Sequence, residues 1–190
     1  MITMNTFFFD PCAYVSAQMM DDMRVGKMII ESGQLFTACI RITLADNGFT
    51  EEEIEALMEE YGIVTSKGTT WRITHRNHPS SLWCREAYEN ASWVIHHALG
   101  LINQFTIRFG KVHGCAPAIA GMFRLLEDIL KPMMMPGMTK PPQCMPDVFK
   151  HRNPCIAYQQ YHYSKPNVHW RKGVDAPDWW QRVDDLDVIV

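Results

Sequence analysis

Apolar residues recur along this chain mostly at steps of three and four, the spacing of one face of an α-helix. Val25, Met28, Ile29, Leu35, Phe36, Cys39 and Ile40 predict a long helix over about 22–44 that is apolar around most of its circumference. One polar stripe interrupts that surface. Arg24, Lys27, Glu31 and Gln34 follow one another at steps of three, four and three, and Arg41 extends the line further on. Gly26 and Gly33 thin the helix beside the stripe, where another group can approach closely. On its own the stripe reads equally well as a site or as a wet helix face with an ordinary Lys27–Glu31 pair.

The other elements follow from periodicity and punctuation. Thr6-Phe7-Phe8-Phe9 is apolar and β-prone, and Asp10-Pro11 opens a short helix to about residue 20. Thr50-Glu51-Glu52-Glu53 is a capping box that begins an acidic helix, stopped by Gly62. Residues 63–78 read as a loop or short hairpin. From His78-Pro79-Ser80, the in-phase residues Trp83, Ala87, Asn90, Val94, His97, Leu101, Phe105 and Arg108 predict one helix ending at Gly110. A further amphipathic helix is expected over 117–130. The stretch 131–146, with five prolines and five methionines, is a long connection of the kind that is functional or mobile. Asn153-Pro154 opens a last helix, ending near Lys165-Pro166, and an aromatic and acidic tail, 166–190, is expected to pack on the rest. The result is an all-α, single multi-helix domain spanning 1–190.

Composition narrows the class. With 47% apolar and 21% charged residues the chain is an ordinary globular one, and its 190 residues suffice for one substantial core. No run of about 18 uncharged apolar residues occurs and the N-terminus lacks a basic, long-apolar signal pattern, so a cytoplasmic protein without a membrane span is expected. Six scattered cysteines contain no C-x-x-C pair, and the eight histidines include His75-x-x-His78 but no complete ligand motif. Reduced thiols, and neither metal nor other cofactor, are the expectation.

The net charge of −3 argues against nucleic acid until its distribution is considered. Residues 51–60 hold six Glu, and 175–187 hold five Asp with one Arg. The remainder carries 10 acids against 17 bases, enough to present a basic surface to phosphate. Candidate phosphate or nucleic-acid contacts are Arg24, Gln34, His75, Arg76, Arg85, Arg108, Lys111 and His113. Lys27, Glu31 and His78 are candidates for catalysis, and Trp83, Trp93, Tyr158 and Tyr161 for base stacking.

The run Arg24-Val25-Gly26-Lys27-Met28-Ile29-Ile30-Glu31-Ser32-Gly33-Gln34, then Thr74-His75-Arg76-Asn77-His78-Pro79, then Arg108-Phe109-Gly110-Lys111-Val112-His113, Met145-Pro146-Asp147, Tyr158-x-x-Tyr161 and Pro177-x-Trp179-Trp180 resembles a family of small helical bacteriophage proteins over nearly the whole chain. The family pattern has His-x-Asp-Lys-His before the Lys-Met-Ile block. Here Met20, Met23 and Arg24 stand at the His, Lys and His positions, which leaves one cation and no histidine base. More loosely, the family is similar to phage pyrimidine-dimer glycosylases and to transferases that hypermodify thymine in DNA.

The resemblance implies a DNA-modifying enzyme of the infected bacterial cytoplasm that acts on a pyrimidine. The reaction implied is transfer of an amino acid or amine onto pyrophosphorylated hydroxymethyluracil. A DNA glycosylase or lyase, a nonenzymatic nucleic-acid-binding protein, and an enzyme of free phosphorylated pyrimidines are the alternatives. Displacement of pyrophosphate needs cations for the leaving group, a base for the incoming amine and a pocket for an extruded base. Glu31 or His78 is the candidate base, with Arg24 and Lys27 first among the cations.

Overall fold

The computed structural model describes residues 4–181, which form eight α-helices with no β-sheet; an isolated bridge pairs Val64 with Thr70. Asp184, Asp185 and Asp187, the acidic end of the tail, lie outside the described residues. The helices are α1 (Ala13–Gln18), α2 (Val25–Asp46), α3 (Glu51–Glu60), α4 (Pro79–Glu86), α5 (Tyr88–Phe109), α6 (Ala116–Leu125), α7 (Pro154–Tyr163) and α8 (Asp178–Gln181). The two longest, α2 and α5, pack against each other at the centre, and α1, α4 and α6 pack on α5.

The punctuation acts where expected. Thr50 and Glu53 close a reciprocal capping box on α3. Asn153 caps α7 by accepting from Cys155 N–H at 2.9 Å, and Gly110 ends α5 in the left-handed region at φ +66°. By contrast α2 starts at Val25, because the Asp21 carboxylate accepts from Met23 N–H and its carbonyl from Arg24 and Val25 N–H, which makes 21–24 a capping turn.

The single helix expected from 78 to 110 is two helices. Ala87 is extended, with φ −148° and ψ 153°. The polar groups freed by that break are taken up by the 135–139 stretch. Tyr88 N–H donates to Met135 O at 2.9 Å, and Asn90 donates to Trp83 O and to the Thr139 hydroxyl while accepting from Thr139 N–H. The long connection is therefore tied down at the α4–α5 junction. After Leu125 the α6 helix widens into a π-turn, Leu126–Leu130, and then a 3₁₀ turn, Lys131–Met133.

The β-prone 6–9 segment forms no strand. Phe7, Phe8 and Phe9 are buried among helices, with Phe8 stacked on Trp93 at 4.5 Å and Phe9 against His162 and Trp179. By length and apolarity α2 would suffice to cross a membrane, yet 83% of its most apolar stretch is buried inside the protein, as befits a core helix.

Candidate functional site

The stripe on α2 divides among three environments. Arg24 is turned back onto its own helix start, donating to Asp21 at 3.1 Å and to Pro166 O at 2.9 Å. One turn on, Lys27 and Glu31 pair at 3.0 Å, the lysine side chain 57% exposed and the glutamate only 9%. The second Glu31 oxygen accepts from Asn5 N–H at 3.4 Å, and the Asn5 amide donates to Cys144 O at 3.2 Å. A further turn on, Gln34 lines a different cleft, and Arg41 is consumed by Trp71 O, Glu51, Glu55 and Thr70.

The second block places His78 where the Glu31 charge reaches it. His78 caps α4, its Nδ1 accepting from Ser80 N–H at 3.2 Å, and it lines a cleft of about 510 Å³ with Pro142, Gln143, Cys144, Met145 and Tyr161. Burial pushes the His78 imidazolium below the ordinary histidine range, His75 pushes the same way, and the Glu31 charge opposes them. Glu31 and His78 are thus within each other's electrostatic reach. With Nδ1 occupied as an acceptor, the proton of neutral His78 resides on Nε2, so the ring is a hydrogen-bond donor and not a base. His75 holds a left-handed backbone, φ +54°, with its ring 6.3 Å from that of His78. Arg76 is exposed, and Arg85 donates to Arg76 O at 2.8 Å, which fixes the loop to α4.

Several other candidates have structural duties. Arg108 donates to Met20 O, Gln18 O, Gln104 and Asp22, the last at 3.2 Å, and its remaining Nε–H is buried, so no donor reaches phosphate. Trp83 and Trp93 are core residues whose indole N–H groups are spent on Thr139 O and Pro11 O. Tyr158 is fully buried, donating to Pro142 O at 2.6 Å and accepting from Thr6. Tyr161 has Phe7 stacked on it and the Lys165 ammonium 3.6 Å from its ring centre, so only its edge reaches the His78 cleft. None of the four presents a free ring face to a base. Lys111 is exposed, and His113 packs edge-on to Phe105 with its Nδ1 accepting from Cys115 N–H.

Three features were not singled out by sequence. Lys140, Lys150, His151 and Arg152 line a basic cleft of about 460 Å³ that shares Gln143 with the His78 cleft. The Gln143 amide bridges both backbone groups of His151, at 2.6 and 2.9 Å, and so braces that corner. These bases sit within and just after the Pro/Met-rich stretch, which was read as a connection. Second, Trp71, Arg72 and Thr74 form a cleft with Gln34. Third, Asp21 is buried against His162 at 3.2 Å, beside the Asp22–Arg108 pair. Adjacent acids at the start of an apolar helix were the available signal for this cluster. Among the described residues no three His, Cys, Asp or Glu side chains are grouped to hold a metal ion. Comparison of the chain with protein-family models, with curated proteins and with solved structures returns no match.

Proposed function

We propose that this protein binds DNA through its basic cleft and acts on a pyrimidine base beside it, with Glu31 as the proton acceptor and neutral His78 as a hydrogen-bond donor to the reacting group. The observation that carries this reading is a nearly buried carboxylate whose charge reaches a histidine held in its Nε2–H tautomer. His78 lines a cleft that shares Gln143 with a second one, lined by Lys140, Lys150, Arg152 and His151. Carboxylate, donor and phosphate-holding cations are what displacement at a base requires.

In the transfer reaction an amine nitrogen attacks the methylene carbon of pyrophosphorylated hydroxymethyluracil. The C–O bond breaks, pyrophosphate departs toward Lys27 and the His75 edge, and the amine proton passes to Glu31. Transferase and glycosylase differ in product. DNA carrying the pyrophosphorylated base is incubated with the protein and amino acids, then digested to nucleosides. A nucleoside heavier by one amino acid, less the lost water, relative to hydroxymethyldeoxyuridine is the expected result, whereas abasic sites identify a glycosylase.

One observation favours a nonenzymatic binding protein as the second reading. Both Glu31 oxygens already have partners, Lys27 and Asn5, so the carboxylate has a structural use as well. On that reading DNA binds and neither product forms.

A further inference from the structure

The cleft of about 550 Å³ between α2, the 64–74 segment and the loop at Gly114-Cys115 is lined by neither Glu31 nor His78. Its size is that of an ordinary small-molecule site. Trp71, Ile30 and Val64 give it apolar walls, and of its hydroxyls those of Thr65, Thr69 and Thr70 are already hydrogen-bonded within the protein. The Trp71 indole N–H and the Thr74 hydroxyl are buried without a hydrogen-bond partner among the described residues. Such groups are rare in folded proteins, and both belong to residues of one cleft wall.

Trp71 is held there by design of the helix opposite. A Cβ on Gly33 would lie 2.7 Å from the indole ring, so the bare glycine is what lets the ring lie against α2. Gln34, the next residue, puts a carboxamide into the same cleft, a group that both donates and accepts.

The charge in the cleft identifies the rest of the ligand. No carboxylate lines it, which disfavours an amine, and Arg72 is its one charged residue. The acid whose field Arg72 feels, Glu55, is already held by Arg41 and Thr70, and hydroxyls of Thr65 and Ser66 stand along the cleft wall. A planar heterocycle with carbonyl acceptors, carrying a phosphate, matches walls, donors and charge together.

We propose that this cleft binds a nucleotide, its base against Trp71 and read by Gln34 and Thr74, its phosphate at Arg72. Gln34 follows Glu31 by three residues, about one turn along α2, so the cleft neighbours the carboxylate on that helix. As the base-recognition element for that chemistry the assignment rests on the reading above. Binding without reaction tests it separately.

The test is calorimetric titration of the full chain with each of the four deoxynucleoside monophosphates, with the matching nucleosides and with a ten-residue single-stranded oligonucleotide. The expected result is that at least one mononucleotide binds, and that its nucleoside binds about tenfold more weakly, the worth of one charge-assisted contact. Arg72→Ala should remove that difference, and Gln34→Leu should weaken nucleotide and nucleoside alike by about tenfold. Both side chains are surface-facing enough for circular dichroism to confirm an unchanged fold. If only the oligonucleotide titrates and Gln34→Leu weakens it, the nucleotide is a unit of a strand. No binding by mononucleotide or oligonucleotide, or binding that neither variant alters, overturns the assignment. Normal nucleotide binding by a wild-type protein that forms no product would leave the pocket standing and remove the catalytic reading.

Discussion

His97 shows how far burial can take a side chain from its ordinary chemistry. It lies flat on Trp93, ring centres 4.8 Å apart, and burial alone pushes its pKa down to about 3. His162 is displaced in the same direction, by burial first, with the Asp21 charge opposing. A histidine whose folded pKa is depressed takes up its proton more readily when unfolded, so its contribution favours folding above the ordinary value and is lost as pH falls. The protein should therefore lose thermal stability progressively from pH 6.5 downward, and His97→Leu should flatten the decline between pH 6.5 and about 3. A Tm series across that range checks it, and a His97→Leu variant with an unchanged slope would contradict it. At the same scale His78, also lowered, stays neutral at pH 7, so its Nε2–H donor is present without special conditions. The contrast between Glu31 and Arg108 is also one of single residues. Spacing placed Glu31 on the polar stripe of α2 and Arg108 in phase with the largely apolar series of α5; Arg108 found Asp22 and three other acceptors, whereas Glu31 kept a lysine that is still largely in water.

Helix α4 and helix α5 are distinct only because a distant segment satisfies the break between them. Capping residues, proline starts and glycine stops act within a few residues, which is why the ends of α3, α5 and α7 were legible. The interruption at Ala87 depends on Met135 and Thr139, and nothing within the 78–110 periodicity announces it. Asn90 is the joint of that arrangement, with three hydrogen bonds in a buried setting. Asn90→Ala should cost about 3 kcal/mol, the sum expected for buried partners left unpaired, and lower Tm by about 6–12 °C in a chain of this size. Thermal unfolding followed by circular dichroism measures it, and a loss under about 1 kcal/mol would show that the junction is held by packing instead. The polar stripe teaches the complementary lesson for the site. Periodicity located Lys27 and Glu31 on one face, but the face curves past three different neighbours, so Arg24 and Gln34 could not be assigned by spacing alone. Aromatic identity was equally ambiguous, since Trp83, Trp93 and Tyr158 have the composition of a stacking surface and the burial of a core.

Across the molecule, charge is sorted more sharply than the net value of −3 conveys. Six glutamates belong to α3, where most are exposed, while Lys140, Lys150, His151 and Arg152 gather around one cleft beside His78. Basic residues that sit together on a surface act chiefly on phosphate and act more weakly as salt rises. Replacing Lys140 and Arg152 by Glu should weaken DNA binding at least tenfold and lower the slope of log affinity against log salt, as titrations over a range of salt concentrations would show; an unchanged slope would mean that DNA follows another path. These bases hold the strand in the proposed account, and the chemistry belongs to Glu31 and His78.

The most direct test of that division measures DNA affinity and nucleoside product together in Glu31→Gln. A general base contributes about 10²- to 10⁴-fold, so product formation should fall by that amount while DNA affinity stays within about twofold of wild type. Product formed at close to the wild-type rate would contradict the account, because Glu31 would then be the structural partner of Lys27 and Asn5 and nothing more.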